Sequence, residues 1–129
     1  MHEMSIAMNI FRIVREKLKK MYGKYYPVKK VAVNIGKMST VVPAALEFCF
    51  EMAGKDTIFE GAELEIVEIP LKIHCEDCKE DMILDEPFFF CRKCDSFNLK
   101  ILSGKEMNVD TFEIDETADP ITEEAMAWK

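Results

Sequence analysis

Residues 75–94, CEDCKEDMILDEPFFFCRKC, contain two Cys-x2-Cys pairs separated by twelve residues. In each pair, two thiolates can converge on one ion across a tight turn, and a second pair completes a tetrahedron with Zn–S distances of about 2.3 Å. Twelve intervening residues suit two short arms that meet at the metal, as in a zinc ribbon. The spacing therefore predicts a structural zinc site with four ligands: Cys75, Cys78, Cys91 and Cys94.

Other interpretations of the cysteines fit less well. A thioredoxin-like redox site has one Cys-x2-Cys motif near a βαβ unit, and an odd total of five cysteines disfavours a disulfide framework. Four thiolates fill the zinc shell, so the site is expected to be structural rather than catalytic. His74 adjoins the first pair and is an alternative ligand, although a plain loop histidine is the simpler interpretation. Cys49, alone at an apolar helical position, is expected to be a small buried hydrophobe.

The segments on both sides of the cysteines show regular apolar spacing. An amphipathic helix is predicted over 4–21, and its apolar stripe, expected in the core, comprises Met4, Ala7, Met8, Phe11, Val14, Leu18 and Met21. A second helix is predicted over roughly 43–53, with Pro43 in its first turn and Gly54 after its end. Alternating apolar residues predict strands over 28–36, 63–69 and 107–114.

This order of elements predicts an α+β fold, with a small three-stranded sheet, two helices over one face, and an inserted four-cysteine zinc-ribbon-like lobe. The expected domains are a discontinuous α/β domain over 1–70 and 105–115, a zinc-binding domain over 71–104, and an acidic C-terminal tail over 116–129. The aromatic residues expected to support the zinc lobe are Phe88, Phe89, Phe90 and Phe97.

Charge and hydropathy limit the classes of partner. The 129 residues carry a net charge of −7, which argues against general polyanion binding. The total conceals an asymmetry, because residues 1–40 carry +7 and the remainder −14. No apolar run approaches the roughly 20 residues that span a bilayer, and the N-terminal charges follow the apolar stretch rather than precede it. We therefore expect a cytoplasmic protein that does not bind membranes.

The N-terminal tripeptide Met1-His2-Glu3 is a second candidate metal site. The α-amine, the backbone nitrogen of residue 2 and the imidazole can form adjacent chelate rings around Ni(II) or Cu(II). Glu3 can supply a further backbone nitrogen, or a carboxylate that orients the imidazole. Taken alone, however, the tripeptide is better explained as an incidental histidine at a chain end.

The combination of motifs resembles the HypA/HybF family of nickel metallochaperones, which act in [NiFe]-hydrogenase maturation. The similarity covers roughly residues 1–114 and includes the MHE start, the cysteine spacing, FEGAELEI at 59–66 and CRKCDSFNLKILSGKEMNV at 91–109. The resemblance implies a protein that is not an enzyme, with Ni(II) as transient cargo at Met1, His2 and Glu3 and a structural Zn(II) at the four cysteines. It also implies two partners, a HypB-like nickel-handling GTPase or related P-loop ATPase and the hydrogenase large-subunit precursor.

Three features depart from the family pattern. Lys79 and Asp95 stand where the family often has glycine after each Cys-x2-Cys, so altered turns are expected there. The acidic tail after Ile114 lies outside the similarity. Urease-linked relatives tend to have histidines beside the zinc cysteines, and only His74 could serve here, so a role in urease maturation is not expected.

The alternative function is a four-cysteine zinc ribbon that binds nucleic acid. The basic segment from Arg12 to Lys37 could contact phosphates. Against this alternative, the cysteine lobe itself is acidic, and a docking surface for an acidic protein explains the lysines more simply. We therefore expect no nucleic-acid partner, and the sequence leaves monomer and homodimer both open.

Overall fold

The computed structural model describes residues 3–84 and 89–122. The elements in chain order are α1 (Glu3–Tyr22), β1 (Val28–Gly36), a single 3₁₀ turn (Lys37–Ser39), α2 (Pro43–Gly54), β2 (Glu63–Ile69), β3 (Leu71–Cys75), β4 (Asp81–Leu84), β5 (Leu99–Ser103) and β6 (Met107–Ile114). The α+β class is confirmed, as are both helices and the three strands predicted outside the cysteine region.

The main sheet has the strand order β2-β1-β6. β1 is parallel to β2, with Val31 opposite Leu64, and antiparallel to β6, with Val31 opposite Phe112. A parallel pair needs a crossover connection, and α2 is part of the crossover here. The alternation predicted from sequence places the apolar residues of β1 toward the helices.

The main core lies between this sheet and the two helices. α1 buries Ile6, Ala7, Ile10, Phe11, Val14 and Leu18. The ring of Phe11 lies 5.0 Å from that of Phe50 on α2 and 4.4 Å from that of Phe59 in the following loop. Aromatic contacts at these distances add to the free energy gained by burial. They join the helices to the loop that leads into β2.

The expectation that the methionine stripe of α1 lies in the core is wrong for three residues. Met4, Met8 and Met21 are 43%, 38% and 61% exposed. The buried arc of the helix is centred on Ile10, Val14 and Leu18, and the methionines flank it. Apolar residues cover so much of the circumference of α1 that spacing alone fits more than one stripe. Cys49 is half-buried and packs against the main core.

The second sheet, with order β4-β3-β5, forms the inserted lobe. Its core comprises Leu71, Ile73 and Leu84, with Met38 from the main domain packed against them. The expectation of aromatic support is wrong for Phe97, which is 81% exposed. Phe88 lies outside the described residues, and Phe89 is 37% exposed. Phe90 is half-buried, and its ring lies 6.5 Å from that of Phe97. Aliphatic strand residues support this lobe instead, because β3 lies between two neighbours and its Leu71 and Ile73 are covered.

The two sheets meet where β1 ends. A Cβ on Gly36 would overlap the backbone carbonyl of Gly104, whose oxygen also accepts a 2.9 Å hydrogen bond from the Met38 amide. On the same side, the Ser103 hydroxyl donates to the Pro70 carbonyl at 2.8 Å. The chain therefore enters and leaves the lobe at adjacent points, and backbone contacts fix the junction.

Among the described residues, neither helix combines the length and the apolar composition that a membrane span requires.

The Gly36–Gly104 contact predicts the effect of Gly36→Ala. The backbone of Gly36 has an ordinary extended conformation, so the cost comes from the clash, and we expect a loss of about 2 kcal/mol or more of unfolding free energy. The control is Gly23→Ala, where φ is +71° and nothing lies within 4 Å, so only the conformational cost of about 1 kcal/mol applies. Urea denaturation measures both variants. A loss for Gly36→Ala no larger than that for Gly23→Ala would contradict the steric account.

Candidate metal centre

The two Cys-x2-Cys segments form matching turns. In the first, the Lys79 amide donates to the Cys75 carbonyl at 2.9 Å. In the second, the Asp95 amide donates to the Cys91 carbonyl, also at 2.9 Å. The amides of Cys75 and Cys91 are each held at 2.8 Å by a carbonyl five residues further along the chain. The pairs are thus presented by the same local structure, as their equal spacing suggested.

The residue after each turn has a left-handed backbone conformation. φ is +62° at Lys79 and +61° at Asp95. Residues with a Cβ pay about 1 kcal/mol for this conformation, and aspartate tolerates it better than lysine. Lys79 and Asp95 therefore adopt the conformation that glycine would adopt freely, and the resulting backbone strain is greater at Lys79.

The four sulfur atoms lie close enough to share one ion. All lie within 4.8 Å of one another, and two contacts of 3.6 Å cross between the pairs, from Cys75 to Cys94 and from Cys78 to Cys91. Zn–S distances near 2.3 Å give a tetrahedron with edges of about 3.8 Å. All four thiols are free, and 3.6 Å is far longer than a disulfide bond. The donor set fits a closed, four-coordinate thiolate site for one metal ion.

Backbone amides and burial set the acidity of these thiols. Burial raises the pKa of Cys91, but hydrogen bonds from the amides of Cys94 and Lys93 outweigh it and bring that pKa down to about 7. A hydrogen bond from the backbone amide of Ser96 lowers the pKa of Cys94. Burial and the neighbouring thiols outweigh this effect and raise that pKa to about 12. Burial also raises the pKa of Cys78. A metal ion must therefore displace protons when it binds.

A contact between the two turns was not anticipated from sequence. The Asp77 carboxylate accepts hydrogen bonds from the Ser96 hydroxyl and the Asn98 side-chain amide, which lower the pKa of this carboxyl. Asp77 lies between the first two cysteines and its partners follow the second two, so this contact bridges the arms. The only sequence signal was the position of a short polar residue inside a metal-binding turn.

His74 lies on β3 rather than in a loop. Its Nδ1 lies 2.5 Å from Oδ1 of Asp81, which is opposite it on β4. Among the described residues, the group suited to hold a metal ion here consists of the four cysteines without His74. The histidine is positioned by a carboxylate instead.

Of the three residues predicted to hold nickel, the structure describes Glu3. It begins α1, and its Oε2 accepts a 3.2 Å hydrogen bond from the amide of Val42, the residue before α2. Met1 and His2 lie outside the described residues. The Glu3 carboxylate thus connects the start of α1 to the start of α2.

Taken together, the fold and the thiolate cluster define a two-lobed metal-binding protein. A family model described as "Hydrogenase/urease nickel incorporation, metallochaperone, hypA" matches residues 1–114. The chain belongs to this HypA family, whose members are metallochaperones rather than enzymes. The assignment favours the nickel-handling hypothesis over the nucleic-acid and redox alternatives.

Individual relatives agree with this assignment. The chain is 40% identical over 116 residues to a hydrogenase maturation factor HypA of Crocosphaera subtropica, covering 90% of this chain and 97% of the relative. It is 41% identical over 120 residues to one of Desulfatibacillum aliphaticivorans, covering 93% and 89%. The solution structure of the Ni metallochaperone HypA from Helicobacter pylori matches with a TM-score of 0.61 and 26% identity, covering 88% of this chain and 97% of that one.

The strain at Lys79 predicts a stabilising substitution. Lys79→Gly removes the left-handed penalty but adds backbone entropy to the unfolded chain, so we expect a net gain of about 0.5 kcal/mol. The matched control is Lys93→Gly, which also removes one exposed ion pair but lies at a residue without positive φ. This control should lose about 0.5–1 kcal/mol of unfolding free energy. Urea denaturation at a fixed free-metal concentration measures both. Equal losses for the two variants would show that Lys79 is not strained.

The thiol acidities predict the pH dependence of metal loading. The pKa values of Cys78 and Cys94 are raised, so both thiols are protonated near neutrality and lose their protons when metal binds. Each displaced proton weakens the apparent affinity about tenfold per unit fall in pH. The protons of Cys78 and Cys94 alone therefore predict a loss of at least about 100-fold per unit between pH 8 and 7, and a steeper loss below the pKa of Cys91. Competition with a chromogenic chelator measures Zn²⁺ affinity. A flat profile would contradict protonated thiols in the metal-free site.

Proposed function

We propose that this protein binds Ni(II) at its N-terminus and delivers it during maturation of [NiFe]-hydrogenase, while a Zn(II) ion at the four cysteines has a structural role. The observation that carries the proposal is the family match, which starts at residue 1 and so includes Met1, His2 and Glu3. The relatives at about 40% identity are hydrogenase maturation factors.

The chemistry of each metal site suits its proposed task. Four thiolates leave no open coordination position, so a zinc ion there cannot exchange ligands easily and stabilises the lobe. Amine, amide and imidazole nitrogens at a chain end suit Ni(II) and remain accessible to a second protein. The Glu3 carboxylate, held by the Val42 amide, orients the first residues relative to α2 and is a positioning group rather than a nickel ligand. The backbone nitrogen of Glu3 is still available to coordinate Ni(II).

The two lobes then have separate roles. Residues 1–70 and 105–115 form the nickel-binding domain, and residues 71–104 form the zinc-binding domain. The acidic C-terminal segment, 116–129, begins by packing against the first of these domains through Ile121. Transfer proceeds in the cytoplasm by ligand exchange, as an acceptor protein supplies donors while the N-terminal chelate opens. The partners are a HypB-like nickel-handling GTPase or related P-loop ATPase, and the hydrogenase large-subunit precursor.

Nickel titration of untagged, zinc-loaded protein tests the proposal. His2→Ala and an N-terminally extended form should each lose most high-affinity nickel binding, because one removes the imidazole and the other the α-amine. His74→Ala, which removes the second of the two histidines in the chain, should bind nickel as the unmodified protein does. Isothermal titration calorimetry measures affinity, and metal analysis verifies that zinc is retained.

Nickel affinity that is the same in all four proteins would overturn the N-terminal site. Loss of nickel binding in His74→Ala but not in His2→Ala would move the site to the zinc lobe.

A further inference from the structure

The chain continues past the family match as part of the folded domain. The amide of Asp115 donates to the Pro27 carbonyl at 2.9 Å. Tyr25 and Ile121 then exchange two backbone hydrogen bonds, of 3.1 and 2.7 Å, and Ile121 packs against the main core. Residues 115–122 therefore return the chain to the C-terminal end of α1, and residues 123–129, EEAMAWK, start from there.

The returning segment meets one particular face of α1. The Tyr22 hydroxyl donates a 3.3 Å hydrogen bond to the Glu116 carboxylate. Burial, together with this neighbouring carboxylate, raises the pKa of Tyr22. Tyr22 follows Lys19 by three residues and Arg15 by seven, so these three side chains lie in one row along the helix. The row is positively charged, and the first two residues after Thr122 are Glu123 and Glu124.

Toward the N-terminus, the row passes Arg12, which pairs with Glu16 at 3.2 Å, and then reaches the apolar Met8. Phe11, beside this row, contacts Phe50 of α2. On α2, Glu47 and Glu51 occupy the opposite flank, where they line a groove against β2, so Met52 lies on the flank toward α1. Met8 and Met52 are both exposed. Each of these two helices, which pack against one another, therefore presents an exposed methionine that a further apolar segment can cover.

Residues 123–129, the C-terminal tail, are long enough to reach this surface. From Tyr22 back to Phe11 the helix axis rises about 16 Å, and six extended residues from Thr122 to Trp128 span about 20 Å. The nickel-binding end of α1 is about 30 Å from Tyr22, which is beyond the reach of the tail. The sequence of these residues has a matching order, because Glu123 and Glu124 precede the apolar Met126 and Trp128.

We propose that residues 123–129 dock on this face of their own chain. Glu123 and Glu124 pair with the Arg15 and Lys19 row, and Met126 and Trp128 cover the apolar surface formed by Met8 and Met52 beside the aromatic cluster. The tail thereby shields the α1–α2 surface from solvent, and any protein that binds there has to displace it. This role is independent of nickel.

The fluorescence of Trp128, the single tryptophan of the chain, tests the proposal. In nickel-free, zinc-loaded protein the emission should be blue-shifted, protected from acrylamide, and independent of protein concentration. Lys19→Glu and Met52→Glu should each shift the emission to the red and remove the protection. The matched controls are Lys20→Glu and Met21→Glu, which place the same charge on other faces of α1 and should leave the emission unchanged; Met21 lines the groove against β6. Circular dichroism verifies that every variant is folded.

Three results would overturn the proposal. The first is solvent-like emission in the unmodified protein. The second is an equal response to Lys19→Glu and Lys20→Glu, or to Met52→Glu and Met21→Glu. The third is a blue shift that disappears on dilution, which would assign the surface to a second copy of the chain instead.

Discussion

The backbone contact between Gly36 and Gly104 fixes how the inserted lobe is placed against the main domain. A side chain at Gly36 would overlap the Gly104 carbonyl, so β1 and the β5–β6 connection approach as closely as two backbones can. Two residues after Gly36, the amide of Met38 donates a hydrogen bond to the Gly104 carbonyl, and the Met38 side chain packs against the core of the lobe. Four residues later, the Val42 amide holds the Glu3 carboxylate. A single short segment thus contacts the lobe and the start of α1.

Among its described residues, the inserted lobe has only a small apolar core. Three residues are buried there, Leu71, Ile73 and Leu84, and the partly buried residues packed against them are Met38, Met82, Leu99 and Ile101. An apolar cluster of this size buries too little area to offset the conformational entropy of an independent domain. The metal, the cross-arm sulfur contacts and the Asp77 hydrogen bonds supply the remaining constraint. We therefore expect folding of this lobe to be coupled to metal binding.

Sequence patterns predicted the helices and strands of the main domain because the strands alternate regularly and the helices end at glycine or begin with proline. They failed on the methionines of α1, where apolar residues surround enough of the helix that Met4 and Met8 fit a stripe as well as Ile6 and Ile10 do. The strands of the inserted lobe were not predicted individually, because they are only four or five residues long. Such short segments show too little alternation to be recognised beside the cysteine pairs. The cysteine site followed from spacing alone. Glu3 was predicted as part of the N-terminal tripeptide, whereas its contact with Val42 depends on a tertiary approach that no local pattern contains.

The hydrogen bond from Ser103 to Pro70 has a consequence for how such a molecule can change over evolution. Because the chain leaves the main sheet and rejoins it at neighbouring points, the lobe is, for the rest of the domain, a long loop between β2 and β6. The entropy of closing a loop grows only with the logarithm of its length, so the main sheet is nearly indifferent to the size of what is inserted there. The inserted lobe can therefore gain, lose or exchange residues with little change to the packing of the main sheet.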